Sequence, residues 1–563
     1  MVSSQPNSFS WGDALFLYIE RPGQPLSFAC VCEFEGMVSL MACRELVASK
    51  LHLVPRYRQH VVFPPFNIGL PSWQSDPRFD IRNHIRQVTL RNGTEAQLKE
   101  LASSIVSTHL DRQRPLWDIT LVHGLQGNRT GMIARIHHCL ADGIAGVGII
   151  NVLMDVNPLP QPLPRKKPAA EAPPPRDAGA ALLDGLLKSY FSAVKGALTL
   201  HAEALSIAQT MLTNSGGPLS DLMAIMPEIA APADRLPFNV VCYGPQKFGW
   251  TEVPMAEIKE IRQHCGGTVN DVLLTVVAAA LRRYSQLRGV RLKGRAVRIM
   301  IPVNVRGGED ITDLGNRISF VPVTVPLDIR DPLQLFAFVR QRTEYLKRVR
   351  AAELVGFAGG LFATLPTAFW AAIGPLASQL PLSLCNIICT NVPGPQMPLY
   401  LLGHKMLSWY PYVPIGGELG TNWAILSYNG KAYFGFTCDV GAVPDPEHLE
   451  TFVSNSFAEL WRSAKRVQPE AKPEQPPQSA EPRRKRASRM IPLSKPVAKA
   501  KVKSEAKAAP SGEGVEKPTR RPSRRALRPE ATPIQEPLTA ETAAPGVAPG
   551  DTVTQELVTA VGA

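Results

Sequence analysis

His137-His138-Cys139-Leu140-Ala141-Asp142-Gly143 reads HHxxxDG and stands where one kind of local structure gives way to another. Before it, Met132-Ile133-Ala134-Arg135-Ile136 has the apolar, β-branched character of a short buried strand. After it, Ile144-Ala145-Gly146-Val147-Gly148-Ile149-Ile150 reads as a packed helix. The motif therefore occupies a strand-to-helix corner, a place where a side chain is held rigidly at the mouth of a cleft.

The residue types suit acyl transfer from a thioester to a hydroxyl. A hydroxyl nucleophile needs a base with a pKa near neutrality, and histidine supplies one. Neighbouring strand residues face opposite ways, so His137 and His138 cannot both serve the same proton. His138, nearer the turn, is the expected base, and His137 the orienting or packing partner. Asp142 fits an N-cap of the following helix or an ion pair that shapes the corner. Gly143 lets backbone and substrate approach closely. The bland alternative is a buried histidine pair beside an ordinary aspartate cap. A metal site is not expected, because adjacent strand histidines cannot chelate one ion and no other Cys/His cluster has ligand spacing.

Charge is unevenly spread. Of the net +13, the segment 462–563 holds 20 Lys+Arg against 11 Asp+Glu, or +9. The remainder is only mildly basic, which argues against a nucleic-acid-binding body. Nine scattered cysteines, an odd number without paired spacing, suit a reducing compartment. The start, MVSSQPNSFSWGDALF, has neither the basic beginning nor the apolar core of a secretory signal. Residues 354–404 contain no Asp, Glu, Lys or Arg, and 354–380 is strongly apolar. Gly359-Gly360, Pro366 and Pro375 cut that stretch into pieces shorter than the ~20 residues a spanning helix needs. It is expected to be buried or to face a membrane without crossing it.

The chain divides into segments of different character. Residues 1–158 alternate strand-like and helix-like pieces and carry the motif; 159–177 is a proline-rich linker. Residues 178–234 have the periodicity of a helical connector. A second mixed domain spans 235–465, where Thr268-Val269-Asn270-Asp271 opens a helix with capping-box character that runs to Leu287. Val297, Ile299, Ile301 and Val303 alternate as a strand, and residues 318–325 follow as another. Asn391-Val392-Pro393-Gly394-Pro395 reads as a turn, with closing strands over 423–428 and 433–438. Residues 466–563 have no aromatic residue and are rich in Pro, Ala, Lys, Arg and Glu, the composition of a disordered basic tail.

Several segments together resemble the bacterial wax ester synthase/acyl-CoA:diacylglycerol acyltransferase family. Besides HHxxxDG, Pro115-Leu116-Trp117 is similar to its PLW element, and Asn270-Asp271 to its ND element. Pro302-Val303-Asn304-Val305-Arg306, Leu314-Gly315-Asn316 and Asn391-Val392-Pro393-Gly394-Pro395 follow in the family's order, over about residues 8–461. The resemblance implies a mixed α/β fold of two CoA-dependent acyltransferase-like domains, with the active site in a channel between them. It implies an O-acyltransferase that moves a fatty acyl group from acyl-CoA to diacylglycerol or a long-chain alcohol. Acyl-CoA would enter as substrate, without a cofactor or metal. His138 would be the base, and His137, Asp142 and Gly143 would complete the corner. Asn270, Asp271, Pro115, Leu116, Trp117 and Asn391 would lie against substrate, Asn270 as a possible oxyanion donor. No acyl-enzyme is implied, because no Ser or Cys nucleophile is paired with the base. The expected location is the cytoplasmic side, peripherally on membrane or lipid droplets. Two other readings stay open: a condensation-type acyltransferase working on carrier proteins, and a non-catalytic lipid-surface protein on the same fold. The proline-rich insertion, the basic tail and Tyr243-Gly244-Pro245-Gln246-Lys247, which lacks an expected arginine, depart from the family pattern.

Overall fold

The computed structural model describes residues 9–64, 70–140, 153–159, 231–304, 318–349, 351 and 384–467. Asp142, Gly143 and the helix expected after them lie outside these residues. So do Leu314-Gly315-Asn316, the apolar 354–380 stretch, most of the linker and connector, and nearly all of the tail.

The first sheet grows around a hairpin of β5 (Trp117–Leu125) and β6 (Arg129–His137). Ile119, Leu121, Val122, Met132 and Ile133 are buried, and the near-continuous apolar run suits a strand covered on both faces. Gly127 and Asn128, at φ of 78° and 51°, supply the left-handed residues of the turn between the two strands. On one side β5 pairs in parallel with β4 (Ile85–Thr89), and on the other β6 pairs antiparallel with β1 (Ser27–Glu35). Helix α1 (Trp11–Ile19) precedes β1, α2 (Leu40–Lys50) follows it, and α3 (Glu95–Val106) joins β4 to β5. The short pair β2 (Gln59–Val62) and β3 (Ser72–Ser75) forms a separate ribbon.

The second sheet has the order β7-β14-β13-β10-β8-β9, built from β7 (Gln246–Pro254), β8 (Ala296–Asn304), β9 (Ile318–Pro326), β10 (Ile387–Pro393), β13 (Thr421–Tyr428) and β14 (Lys431–Asp439). Helices α4 (Met255–Cys265), α5 (Val269–Leu287), α6 (Pro332–Arg348) and α7 (Pro446–Lys465) share its core. The predicted capping box is present at α5: Thr268 Oγ1 accepts from Asp271 N, and Asp271 Oδ2 accepts from Thr268 N. Among the described residues no single helix is long and apolar enough to cross a membrane.

One feature departs from a simple split at the connector. Strands β11 (Tyr400–Leu401) and β12 (His404–Tyr412) come from the C-terminal half yet extend the first sheet, whose order is β11-β12-β1-β6-β5-β4. Ala29 pairs with Tyr412 and Cys32 with Trp409, so Trp409 and Tyr412 enter the first core. Gly435 makes the crossing possible, since a Cβ there would lie 1.8 Å from the Pro411 carbonyl oxygen. Both sheets belong to one unit spanning residues 1–476. Asn391-Val392-Pro393, expected in a turn, instead completes β10, with Asn391 opposite Ile425 and Pro393 opposite Ser427. The turn begins at Gly394, where a Cβ would lie 2.4 Å from the Ser427 carbonyl oxygen.

Candidate active site

Strand β6 ends at His137, and backbone bonds pin the corner from two sides. His137 N donates to Leu116 O at 3.0 Å, and His138 N donates to Leu26 O at 2.9 Å. Leu116 is thus part of the frame: its side chain is buried and its carbonyl holds the first histidine. Trp117 pairs with Ile136, stacks on His84 at 4.5 Å and donates its indole N–H to Tyr57 O at 2.8 Å. Pro115 is buried beside them.

The two histidines have different surroundings, as strand alternation requires. His137 Nδ1 accepts the Cys139 N–H at 3.1 Å, so in the neutral ring Nε2 carries the hydrogen. Nε2 faces Glu20 Oε1 at 3.3 Å. Glu20 gathers other partners too: Leu26 N at 2.9 Å, Arg112 Nη2 at 2.7 Å and His109 Nδ1 at 3.4 Å. Burial alone would raise the Glu20 carboxyl. The approach of His109 and His137 and the Leu26 N–H outweigh it and hold the group well below the ordinary carboxylate range. Sequence reasoning missed Glu20, because it lies in the α1–β1 connection and carries no motif.

His138 turns into aromatic surroundings. Phe16 stacks on its ring at 3.6 Å with an interplanar angle of 14°, and Phe28 leans on it at 4.0 Å. Burial in this apolar slot, aided by the neighbouring His137 and only partly opposed by a backbone hydrogen bond, pulls its pKa down to about 3. The imidazole is therefore neutral at physiological pH. Cys139 is 1% exposed, and burial pushes its thiol well above the ordinary range, so it is a core residue and not a ready nucleophile.

Phe28 also lines an apolar cleft of about 620 Å³ that runs between the two sheets. Cys30, Ala134 and Ile136 form the wall from the first sheet, and Thr390, Val392 and Leu426 that from the second. Asn391, between Thr390 and Val392, turns to the first turn of α5, where its Nδ2 lies 3.4 Å from Asn270 Oδ1. The structure thus brings Asn270 and Asn391 together. Asp271 takes the cap position that the Thr268–Asp271 pattern predicts, and not a place against substrate. Its Oδ2 is taken by Thr268 and its Oδ1 accepts from Thr343 Oγ1 at 2.7 Å, so it fixes the helix start.

The buried histidine predicts a pH effect on folding. In the unfolded chain His138 takes up a proton near its ordinary 6.5, whereas the folded ring does so only near 3. Between those values the unfolded chain binds more protons, so stability falls as pH falls through that window. Glu20 acts in the same direction from its ordinary 4.5 downwards, since its folded carboxyl is depressed. The melting temperature should drop between pH 7 and pH 5, and His138→Gln should flatten part of that slope. An unchanged slope in the variant would show that the ring is not held neutral by the fold.

Residues 9–273 match the family described as wax ester synthase/diacylglycerol acyltransferase catalytic domain, and residues 314–461 match the WS/DGAT C-terminal domain. Together they take in more than half of the chain. The chain belongs to the wax ester synthase/diacylglycerol acyltransferase family. It is an acyltransferase enzyme. The Mycobacterium tuberculosis H37Rv protein named probable diacylglycerol O-acyltransferase tgs1 is 30% identical over 440 residues, covering 75% of this chain and 88% of the relative. The protein of that strain named probable diacylglycerol O-acyltransferase tgs2 is 28% identical over 466 residues, covering 80% and 97%.

Among solved structures, the wax ester synthase/diacylglycerol acyltransferase from Marinobacter aquaeolei VT8 superposes with a TM-score of 0.57 at 20% identity, over 81% of this chain and 100% of that one. The first condensation domain of the calcium-dependent antibiotic synthetase shares the fold at a TM-score of 0.52 and 13% identity, over 83% and 98%. These likenesses speak for the fold alone. Within the family's own division, the catalytic region holds Glu20, the histidine corner and Asn270, while the C-terminal region holds Asn391 and the crossing strand β12.

Proposed function

We propose that the enzyme transfers a fatty acyl group from acyl-CoA to the hydroxyl of diacylglycerol or a long-chain alcohol, with His138 as general base and without an acyl-enzyme. The observation that carries this reading is the place of His138 at the end of β6, its ring held between Phe16 and Phe28, where Phe28 also lines the apolar cleft. His138 accepts the proton of the acceptor hydroxyl as its oxygen attacks the thioester carbonyl. The tetrahedral intermediate then collapses, the C–S bond breaks, and the same histidine returns the proton to the departing CoA sulfur. Cys139, the thiol nearest the base in sequence, is a buried thiol, which supports direct transfer to the acceptor over a relay through sulfur.

In this reading the Asn391 amide fixes Asn270 Oδ1, which leaves the Asn270 NH2 as a donor to the developing oxyanion. Asp142 and Gly143 complete the corner, and Pro115, Leu116 and Trp117 set the position of β6. The apolar cleft suits substrates that partition into lipid, so the enzyme works peripherally at the cytoplasmic face of a membrane or at lipid droplets, with the basic tail adding attraction to anionic lipid.

An acceptor panel tests the chemistry. With one long-chain acyl-CoA, free thiol release should depend on adding diacylglycerol or a long-chain alcohol and should match ester formed. Absence of acceptor-dependent thiol release from every CoA ester tried, with any acceptor, would sink the reading. Removing residues 466–563 should lower sedimentation with anionic vesicles at low salt and change it little at high salt, since screening acts over about 8–10 Å. Equal sedimentation of both forms at low salt would remove the tail from the account.

A further inference from the structure

A second apolar pocket, about 480 Å³, lies on the first sheet beneath the last turn of α2, roofed by Val47, Leu51 and Val54. The strand register relates it to the cleft beside His138. Phe28, Ile136 and Trp117 stand in one row across β1, β6 and β5, and Cys30, Ala134 and Ile119 in the next. Partners in register across a sheet project from the same face. In each row the first residue lines the cleft, the last lines the pocket and the middle one lines both. The sheet therefore offers one apolar floor running from the cleft to the pocket. At its centre the second row carries the small side chains Ala134 and Cys30, which raise little barrier between the two compartments. Polar groups are few there: Lys50 Nζ is 3.8 Å from Asp155, and Asp118 is tied to Arg135.

We propose that this pocket is a second arm of the substrate site and takes the distal end of a long aliphatic chain that crosses Ala134 from the cleft. The inference rests on the reading of His138 as the reacting end. Two strand spacings, about 10 Å, separate the β1 and β5 walls, so only long chains reach the pocket. Its chemistry selects alkyl chains and does not distinguish an acyl donor's chain from an acceptor's.

The experiment fills the pocket and varies the chain. Val54→Phe and, as a second variant, Leu51→Phe are compared with the wild-type full-length protein. In one arm octanoyl-CoA and stearoyl-CoA are used with a fixed short alcohol. In the other, octanoyl-CoA is used with octanol and octadecanol. The long-to-short ratio of kcat/KM should fall at least about 10-fold in one arm, since hydrophobic pockets discriminate chain extensions on that scale. A fall in the donor arm assigns the pocket to the acyl donor, and a fall in the acceptor arm assigns it to the acceptor. Ratios unchanged within about twofold in both arms, in variants with wild-type melting temperature, overturn the proposal. Binding of cis-parinaric acid, followed by its fluorescence, separates the two readings. If no CoA ester is turned over, the function fails, while weaker parinarate binding by both variants still supports the pocket. Equal binding by wild type and variants overturns it.

Discussion

His138→Ala should lose at least about 100-fold in kcat while the chain still folds, because general-base contributions run at about 10²–10⁴. Its ring is neutral and flanked by Phe16 and by Phe28, which lines the cleft. His138→Gln is the companion variant, since it fills more of the slot between Phe16 and Phe28 and separates lost chemistry from lost packing. Both variants should fall together in turnover and keep a cooperative melt. A His138→Ala enzyme retaining more than about a tenth of wild-type rate would end the base assignment.

The second large effect belongs to Glu20. Its side chain is buried and takes bonds from Arg112, His109, His137 and the Leu26 N–H, so Glu20→Ala leaves several donors facing an apolar gap. Removing one partner of a buried ion pair costs about 3–5 kcal/mol, and a lower melting temperature should report it. Turnover should fall as well, because Leu26, whose carbonyl holds His138 N, is tied through its own N–H to this carboxylate. Glu20→Gln keeps an acceptor for Leu26 N–H and should recover part of both losses. A Glu20→Ala protein with wild-type melting and wild-type rate would show that the network holds nothing in place.

What could be read from the sequence was local. The β6 strand, its corner and the capping box at Thr268 and Asp271 each depend on residues within a few positions of one another, where strand alternation and cap chemistry dominate. The ordered motifs carried the family. Glu20 was invisible because its meaning comes from partners brought near by the fold: His109, Arg112 and His137 lie far along the chain. Strand β12 was not singled out in the sequence, and no local pattern says which sheet such a strand joins. The decisive features were Gly435, which admits Pro411, and the register of Trp409 against Cys32. Asp271 carried two readings, substrate contact by the motif and a cap by the local pattern; the geometry gives both carboxylate oxygens to Thr268 and Thr343, as the cap requires.

The central claim is direct transfer through one neutral histidine, and a rapid-quench assay of CoA thiol release tests it most directly. Wild-type enzyme mixed with a long-chain acyl-CoA alone should release no thiol beyond the slow background. Adding a long-chain alcohol or diacylglycerol should start release at once, in step with ester formation. A burst of thiol equal to the enzyme concentration in the absence of any acceptor would contradict the account, because it would mean that the acyl group had first passed to the protein.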